Sequence, residues 1–249
     1  MRKLIESHDN LAATTAAEHF AELGERYDDS AFGTPGLAWV SRREVEIVSE
    51  AVSHLPTGAS ILDAGAGNGR FTELLAKRHG LTVTALDAVP EMLRAVEQRL
   101  PGVETVHAKL GEPLPFPTAS FDAVVSIRVL KWVTEWDVAI RELARVVRTS
   151  GTLVIEITNR RSLARFGYDG APITLSTVSE MRRRGRDAGI EWTSVRSGTH
   201  LPYPLWERAS SARALRACTA VQAACDRVLG TIGARSLVLI GHRLPHLEA

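Results

Sequence analysis

The stretch "ILDAGAGNGRFT" at residues 61–72 decides the fold of this chain. An apolar run ends at Asp63, and glycines follow at alternate positions, Gly65, Gly67 and Gly69. Glycine permits a sharp turn between a buried strand and a helix, and it lets a ligand approach the backbone closely. The stretch therefore predicts a first strand, loop and helix. The loop is compatible with a phosphate cradle, with a nucleoside site, or with a tight turn alone.

Strands and helices alternate after this stretch. Strands are predicted at "LTVTALD" (81–87), "VETVHA" (103–108), "FDAVVSI" (121–127) and "GTLVIEI" (151–157). Helices are predicted at "RFTELLAKRH" (70–79), "PEMLRAVEQRL" (90–100) and "EWDVAIRELARVVR" (135–148). Strands that alternate with helices of this length indicate a parallel sheet covered on both faces.

The flanking regions have a different pattern. Apolar residues at helical spacing predict two N-terminal helices, at 11–27 and 37–55. After residue 158 the alternation ends, and we expect a helix at "STVSEMRRRGRDAG" (176–189) and a strand at "IEWTSVRS" (190–197). Residues 201–230 predict a proline-marked entry into one long, mostly apolar helix. The apolar run "RSLVLIGHR" (235–243) predicts a last strand that returns to the sheet.

Composition limits the function classes. A chain of 249 residues that is 45% hydrophobic suits one large domain, or a core with a smaller appended region. No run approaches the roughly 18 apolar residues of a membrane span, so we expect a cytoplasmic protein without one. The cysteines, Cys218 and Cys225, have no metal-site spacing, and the histidines do not cluster, so no metal site is expected.

The small net charge conceals an asymmetry along the chain. Residues 1–157 contain 16 Lys/Arg against 22 Asp/Glu, whereas residues 158–249 contain 14 against 7. A basic region of this kind can contact nucleic acid or an anionic substrate. Its densest run, "MRRRGRDAG" (181–189), is more typical of the solvated side of a surface helix.

A second acid supports a ligand site at the glycine loop. Asp87 ends the second predicted strand, 22 residues after Gly65. A carboxylate at that place can accept hydrogen bonds from both hydroxyls of a ribose. The alternative is a helix N-cap ahead of Pro90, and the two roles are compatible.

The spacing distinguishes this loop from the dinucleotide fingerprint. That fingerprint is G-x-G-x-x-G/A, but the sixth position here is Arg70. Asp63 would also repel a pyrophosphate, whereas its carboxylate suits a ligand that carries positive charge. The loop therefore favours a cationic nucleoside over a nicotinamide dinucleotide.

These residues bring out a family resemblance. An acid followed by G-x-G-x-G resembles the first motif of the class I S-adenosylmethionine-dependent methyltransferases, and "VTALDAVPEML" is similar to their second motif. "LPFPTASFDAVVSIRVLKWV" followed by "AIRELARVVRTSGTLVIEI" is similar to the small-molecule, methyltransferase type 11-like branch. The resemblance covers roughly residues 58–157 and implies S-adenosyl-L-methionine as the cofactor.

The resemblance also implies an architecture. We expect an α/β fold with a Rossmann-like, doubly wound, mostly parallel sheet and a last antiparallel strand. An N-terminal helical lid would occupy residues 1–57, the S-adenosylmethionine-binding core residues 58–158, and a C-terminal substrate-facing insertion with the final strands residues 159–249. All three parts would form a single compact domain, as a monomer or homodimer.

The resemblance assigns roles around the cofactor. Residues of the first loop would line its methionine half, Asp87 its ribose, and Ala88 and Met92 its adenine. Many relatives have an aspartate where Leu110 stands, so a backbone group or Glu112 would replace that contact. The implied cofactor-binding residues are Tyr27, Asp63, Gly65, Ala66, Gly67, Asn68, Asp87, Ala88, Met92, Leu110, Gly111 and Ser126.

Three side chains have roles that the residues leave open. Tyr27, in "ERYDD", would cover the cofactor carboxylate as part of the lid, or pack between the two N-terminal helices. Arg128 would face the methyl group as a catalytic residue, or form a salt bridge at a strand end. His200 is the candidate general base for a hydroxyl acceptor, although a lone loop histidine is often structural.

We therefore expect methyl transfer to a small organic acceptor, with oxygen favoured, as in natural-product or glycolipid tailoring. "LPYPLWE" (201–207), with Trp192, Phe166 and Tyr168, suggests an apolar acceptor pocket. The motif D/N-P-P-Y/F of base-nitrogen methylation is absent after the fourth strand, so no nucleic-acid partner is expected. The alternatives are a catalytically inactive binding or assembly module and a nicotinamide-dependent oxidoreductase.

Overall fold

The computed structural model describes residues 33–162 and 173–245. Its strands are β1 Ser60–Ala64, β2 Thr82–Asp87, β3 Glu104–His107, β4 Phe121–Ser126, β5 Val147–Thr158, β6 Ile190–Ser197 and β7 Ser236–Arg243. Its α-helices are α1 Pro35–Val52, α2 Arg70–Glu73, α3 Pro90–Arg99, α4 Trp136–Val146, α5 Val178–Asp187, α6 Tyr203–Arg208 and α7 Ala212–Leu229. A π-helical turn, Leu74–Arg78, continues α2, and a 3-10 turn, Leu130–Trp132, follows β4.

The strands form one sheet in the order β3-β2-β1-β4-β5-β7-β6. β1 pairs in parallel with β2 and β4, and β3 and β5 extend the parallel part. β7 lies antiparallel to both β5 and β6. The predicted α/β fold, with a mostly parallel sheet and a last antiparallel strand, is confirmed.

Apolar side chains cover both faces of the sheet. On one face, Ile61 and Val154 pack against Val48 of α1 and Leu75 of the π-helical turn. On the other face, Leu62 and neighbouring strand residues pack against α4. Successive side chains of a strand point to opposite faces, so near-continuous apolar strands are the pattern of a sheet buried on both sides.

Helix α1 belongs to the layers around the sheet. Thr34 caps it by accepting the amide of Leu37 at 3.3 Å, and Pro35 occupies its first turn. Val40, Ile47 and Val48 lie on its buried face, at helical spacing. The second helix of the region 1–57 therefore packs on the sheet. The first predicted helix and Tyr27 lie outside the described residues, and the three-part division of the chain stays a prediction.

The long helix predicted over 201–230 is wrong in one respect, because the segment forms two helices. Helix α6 ends at Arg208, and α7 begins after Ser211, whose hydroxyl accepts the amide of Ala214 at 3.2 Å. A serine that caps a new helix competes with continuation of the old one, which explains the break. Within residues 33–162 and 173–245, no helix is long and apolar enough to span a membrane.

Strand register aligns the functional edge of the sheet. Asp63 of β1 pairs with Val125 of β4, which pairs with Val154 of β5. The carboxyl ends of β1, β2, β4 and β5 therefore meet at one edge, where open parallel sheets bind ligands. Counting onward in this register, Glu156 lies at the level of Gly65.

Candidate cofactor and acceptor site

The glycine loop after β1 has the strained backbone that its sequence predicts. Gly65, Gly67 and Gly69 all have positive φ, at 85°, 55° and 91°. A Cβ on Gly65 would lie 2.5 Å from Cγ2 of Val129, so this glycine is needed for close packing against the segment after β4. Among residues 33–162 and 173–245, no atom lies within 4 Å of the Cβ position of Gly67, so this part of the chain leaves open space there.

The loop is tied to the end of β2. The amides of Gly65 and Ala66 donate to the carbonyl of Leu86 at 2.7 and 2.9 Å. The Asp87 carboxylate accepts the amide of Gly67 at 2.8 Å and that of Val89 at 2.9 Å. The N-cap of α3 is Val89, so the alternative of Asp87 as the helix cap is wrong. Burial raises the pKa of Asp87, against these hydrogen bonds.

Asp63 is buried beneath the loop, at 2% exposure. Its Oδ2 accepts the hydroxyl of Thr72 at 2.7 Å. Burial raises the pKa of Asp63 to about 6, with a smaller upward contribution from Asp87 and an opposing one from Arg70. A carboxylate that is costly to ionise in this place favours a ligand with positive charge.

Asn68 has a buried side-chain donor. The residue is 2% exposed, and its Nδ2 has no hydrogen-bond partner among the residues that the structure describes. A buried donor without a partner costs about 1–3 kcal/mol. Together with the open space at Gly67, the Asn68 amide fits a ligand that brings acceptor atoms to the loop.

The residues implied for the adenine differ in their burial. Met92 is buried at 2% exposure, whereas Ala88 is exposed at the turn after β2. Leu110 is buried in the main core cluster, and Gly111 follows it with φ 100°. Glu112 is exposed and pairs with a neighbouring lysine. A contact to a ligand at Leu110 would therefore come from its backbone or from the apolar side of its side chain.

Ser126 and Arg128 have different surroundings at the end of β4. The buried Ser126 hydroxyl donates to the carbonyl of Ala64 at 2.8 Å, which ties β4 to β1. Arg128 has φ 66°, and its guanidinium donates to the Tyr203 hydroxyl. Its Nη1 also lies 3.6 Å from Oε1 of Glu44. The salt bridge considered for Arg128 is thus present.

Arg128 belongs to a larger group of charges, which we call the charged cluster. Its members are Glu44, Arg70, Arg128, Lys131, Glu156 and Arg235. Glu44 of α1, 3% exposed, pairs with Arg70 at 2.8 Å. The Tyr203 ring is within reach of two guanidinium groups, those of Arg128 at 5.0 Å and Arg235 at 4.2 Å.

Burial changes the proton affinities inside the charged cluster. It lowers the pKa of Lys131 to about 7, with Arg128 acting in the same direction and Glu156 opposing. It raises the pKa of Glu156, with a further upward contribution from Glu44. In the charged cluster, burial therefore disfavours the charged forms of both the Glu156 carboxylate and the Lys131 amine.

Sequence reasoning missed Glu44 and Glu156, although each had a signal. Glu44 lies on the apolar face of α1, four residues after Val40 and three before Ile47. Glu156 interrupts the apolar run of β5 near its carboxyl end, as Asp63 ends that of β1. A carboxylate in an otherwise apolar run marks a buried charge, which requires partners.

His200 lies in a different neighbourhood. Its Nδ1 is 2.9 Å from Nε2 of Gln222 and 3.5 Å from Oδ1 of Asp226, both on α7. Burial lowers the pKa of His200. These contacts do not bring His200 to the glycine loop, and its role as a base stays a prediction. Trp192 donates to the carbonyl of Met181 on α5 at 2.8 Å, and its place in the acceptor pocket stays a prediction.

Part of the chain is similar in sequence to known methyltransferases. Residues 62–155 match the family described as a methyltransferase domain. The malonyl-acyl-carrier-protein O-methyltransferase of Methylococcus capsulatus is 32% identical over 146 residues, which are 57% of this chain and 53% of the relative. Its namesake from Serratia marcescens is 31% identical over 165 residues, 65% of this chain and 59% of the relative. The matched region thus spans little more than half of these relatives.

The fold has solved counterparts. A putative sarcosine dimethylglycine methyltransferase from Galdieria sulphuraria superposes with a TM-score of 0.64 over 89% of this chain and 98% of that chain. The two are 15% identical in sequence, so the likeness concerns the fold. The region that matches by sequence extends from within β1 to within β5 and includes the glycine loop and Asp87.

Proposed function

We propose that the protein is a methyltransferase that transfers a methyl group from S-adenosylmethionine to an oxygen of a small organic acceptor, because residues 62–155 match the methyltransferase domain family. The observation that carries the proposal is the glycine loop, which is held by Asp87 and underlain by the buried acid Asp63. A cationic nucleoside without a phosphate satisfies both carboxylates, whereas a pyrophosphate would be repelled.

The cofactor, when bound, supplies an electrophilic methyl group on a sulfonium that becomes neutral on transfer. The chain holds it from several sides. Asp87 accepts hydrogen bonds from the ribose hydroxyls, and Asn68 donates its unused amide to the methionine half. Asp63 contributes negative charge beneath the positive end of the ligand. The adenine is enclosed by Ala88, Met92, Leu110 and Gly111. Ser126 holds the end of β4 beside the glycine loop through its hydrogen bond to Ala64.

The acceptor binds at the charged cluster. The cluster surrounds the carboxyl ends of β4 and β5, beside the loop, and Tyr203 adds an aromatic surface between two arginines. Arginine and lysine there suit an acceptor with a carboxylate, phosphate or sugar-linked group, of the kind found in natural-product or glycolipid tailoring. The names of the two O-methyltransferase relatives support oxygen as the methylated atom.

Calorimetry tests the cofactor part of the proposal. The protein is titrated with S-adenosylmethionine, with its demethylated product S-adenosylhomocysteine, and with a nicotinamide dinucleotide. We expect heat with the first two alone. Absence of heat and of a thermal shift with either would overturn the proposal, and heat with the dinucleotide would favour the oxidoreductase alternative.

A labelling experiment tests the transfer itself. The protein is incubated with methyl-labelled S-adenosylmethionine and pooled hydroxy, amino and thiol metabolites, and products are separated by mass. We expect label in an ether or ester of a hydroxyl-bearing compound. Tight cofactor binding with no labelled product from any pool would support the inactive binding module instead.

A further inference from the structure

Glu156 has a buried carboxylate oxygen that accepts no hydrogen bond from the described part of the chain. The residue is 9% exposed, near the carboxyl end of β5. Ser236 of β7 donates a side-chain hydrogen bond to the carboxylate, but Oε2 is buried and has no partner within residues 33–162 and 173–245. A buried carboxylate oxygen without a donor is costly, so its presence in a folded protein requires an explanation, and a catalytic role is one such explanation.

Register places Glu156 at the edge of the sheet from which the glycine loop extends. Ser126 pairs with Ile155, so Glu156 lies one residue further along than the end of β4, at the level of Gly65. Two strand spacings, about 10 Å, separate β5 from β1. Alternation along β5 puts Glu156 on the same face as Val154, the face that α1 covers.

The surroundings of Glu156 suit proton transfer. Glu44 faces it from α1, Arg128 and Lys131 face it from the segment after β4, and Ser236 faces it from β7. The two cations favour the ionised carboxylate, whereas Glu44 and burial oppose it. A carboxyl whose pKa lies above its ordinary value accepts a proton effectively near neutral pH.

We propose that Glu156 binds the hydroxyl of the acceptor through Oε2 and takes its proton during methyl transfer, a role that rests on the proposed function. The acceptor oxygen forms a bond to the methyl carbon as the carbon–sulfur bond breaks, and the electron pair of that bond stays on sulfur. The hydroxyl proton passes to Glu156, which releases it to solvent once the methylated product leaves. The acceptor is therefore a compound with an ionisable hydroxyl.

Two variants separate this role from a structural one. Glu156→Gln keeps the size of the side chain and its capacity to accept from Ser236, but removes the base. Glu191→Gln is the matched control, because Glu191 is an exposed glutamate on β6 of the same sheet. Retained binding of S-adenosylhomocysteine shows that each variant is folded and that the cofactor site is intact.

A binding experiment needs no knowledge of the natural acceptor. In protein labelled with carbon-13 glutamate and saturated with S-adenosylhomocysteine, the Glu156 carboxyl resonance is identified by its loss in Glu156→Gln. Fragment alcohols and phenols are then compared with their own methyl ethers. We expect hydroxyl fragments to shift this resonance and the ethers to leave it unchanged. Hydroxyl fragments that leave it unchanged, or ethers that shift it equally, would overturn the proposal.

Kinetics supply the second readout. With any acceptor that the parent methylates, we expect Glu156→Gln to lower kcat by about 100-fold to 10,000-fold and to lose the acidic limb of the pH profile. Glu191→Gln should match the parent. Unchanged kcat in a Glu156→Gln variant that still binds S-adenosylhomocysteine would overturn the role of Glu156 alone. Failure of the parent to bind S-adenosylhomocysteine would overturn the proposed function instead.

Discussion

The carboxylate of Asp87 accepts the backbone amide of Gly67 across 2.8 Å. This bond joins the end of β2 to the middle of the glycine loop, so one side chain determines the position of the backbone that faces the open space. The second oxygen of Asp87 accepts the amide of Val89. Each carboxylate oxygen keeps a further acceptor site, which leaves the group able to bind two hydroxyls.

Replacement of Asp87 by alanine should weaken S-adenosylhomocysteine binding by about 1.5–3 kcal/mol, the size of hydrogen bonds to a charged group. The loss has two sources, the hydroxyl contacts and the tether on Gly67. Calorimetry of Asp87→Ala measures it, with Asp187→Ala as a control because Asp187 is exposed at the end of α5. Equal affinities in the two folded variants would reject the ribose role.

Replacement of Gly67 by alanine should reduce both the stability of the fold and the affinity for S-adenosylhomocysteine, and a second glycine distinguishes the two effects. Gly67 and Gly102 both have positive φ, and no atom of the described residues lies within 4 Å of either Cβ position. Alanine at either place should lower the free energy of unfolding by roughly 1–2 kcal/mol, the cost of the left-handed conformation. Only Gly67→Ala should also weaken S-adenosylhomocysteine binding, by more than about tenfold. Binding losses that are alike in both variants would mean that Gly67 does not face the ligand.

Most of the fold was predictable because its signals are local. Buried strands read as apolar runs, and the glycine loop and Pro90 mark where helices begin. The break between α6 and α7 was missed, because a serine cap in a helix-forming segment is a weak signal by itself. This error concerns helices alone, so the prediction of the sheet from its apolar strands was unaffected.

The cofactor side of the site was predictable for the same reason, and the acceptor side was not. Asp63 and Asp87 lie at the carboxyl ends of β1 and β2, which are parallel neighbours in the sheet, so both acids lie at the same edge. Glu44 meets Arg70 across 26 residues of sequence, and no local pattern reports that pairing. The charged cluster is assembled from α1, α2, the segment after β4 and the ends of β5 and β7, so only tertiary structure brings it together.

Removal of Glu44 should destabilise the fold more than removal of another glutamate from the same helix. Glu44 is buried and is paired with both Arg70 and Arg128. Glu44→Ala leaves two half-buried guanidinium groups without this buried carboxylate, which should cost about 3–5 kcal/mol. Glu46→Ala, at an exposed position of α1, should change the free energy of unfolding by no more than about 0.5 kcal/mol. Urea unfolding measures both, and similar losses would contradict the buried pairing.

Ionisation of Asp63 should make the free energy of unfolding depend on pH. Burial raises its pKa from 3.8 to about 6. The folded protein therefore holds this proton where the unfolded chain has lost it, so the contribution of Asp63 is fully present below pH 3.8 and is lost as pH rises through 6. Asp63→Asn cannot ionise and escapes that loss.

The stability of Asp63→Asn relative to the parent should therefore rise by roughly 1–1.5 kcal/mol between pH 5 and pH 8, most of it below pH 7. Urea unfolding at pH 5, 6, 7 and 8 measures the difference, and Asp187→Asn serves as a control that should follow the parent. With saturating S-adenosylmethionine the dependence should weaken, because a cation above Asp63 lowers the pKa of that carboxyl. A difference that stays constant from pH 5 to pH 8 would show that Asp63 is already ionised in the folded protein.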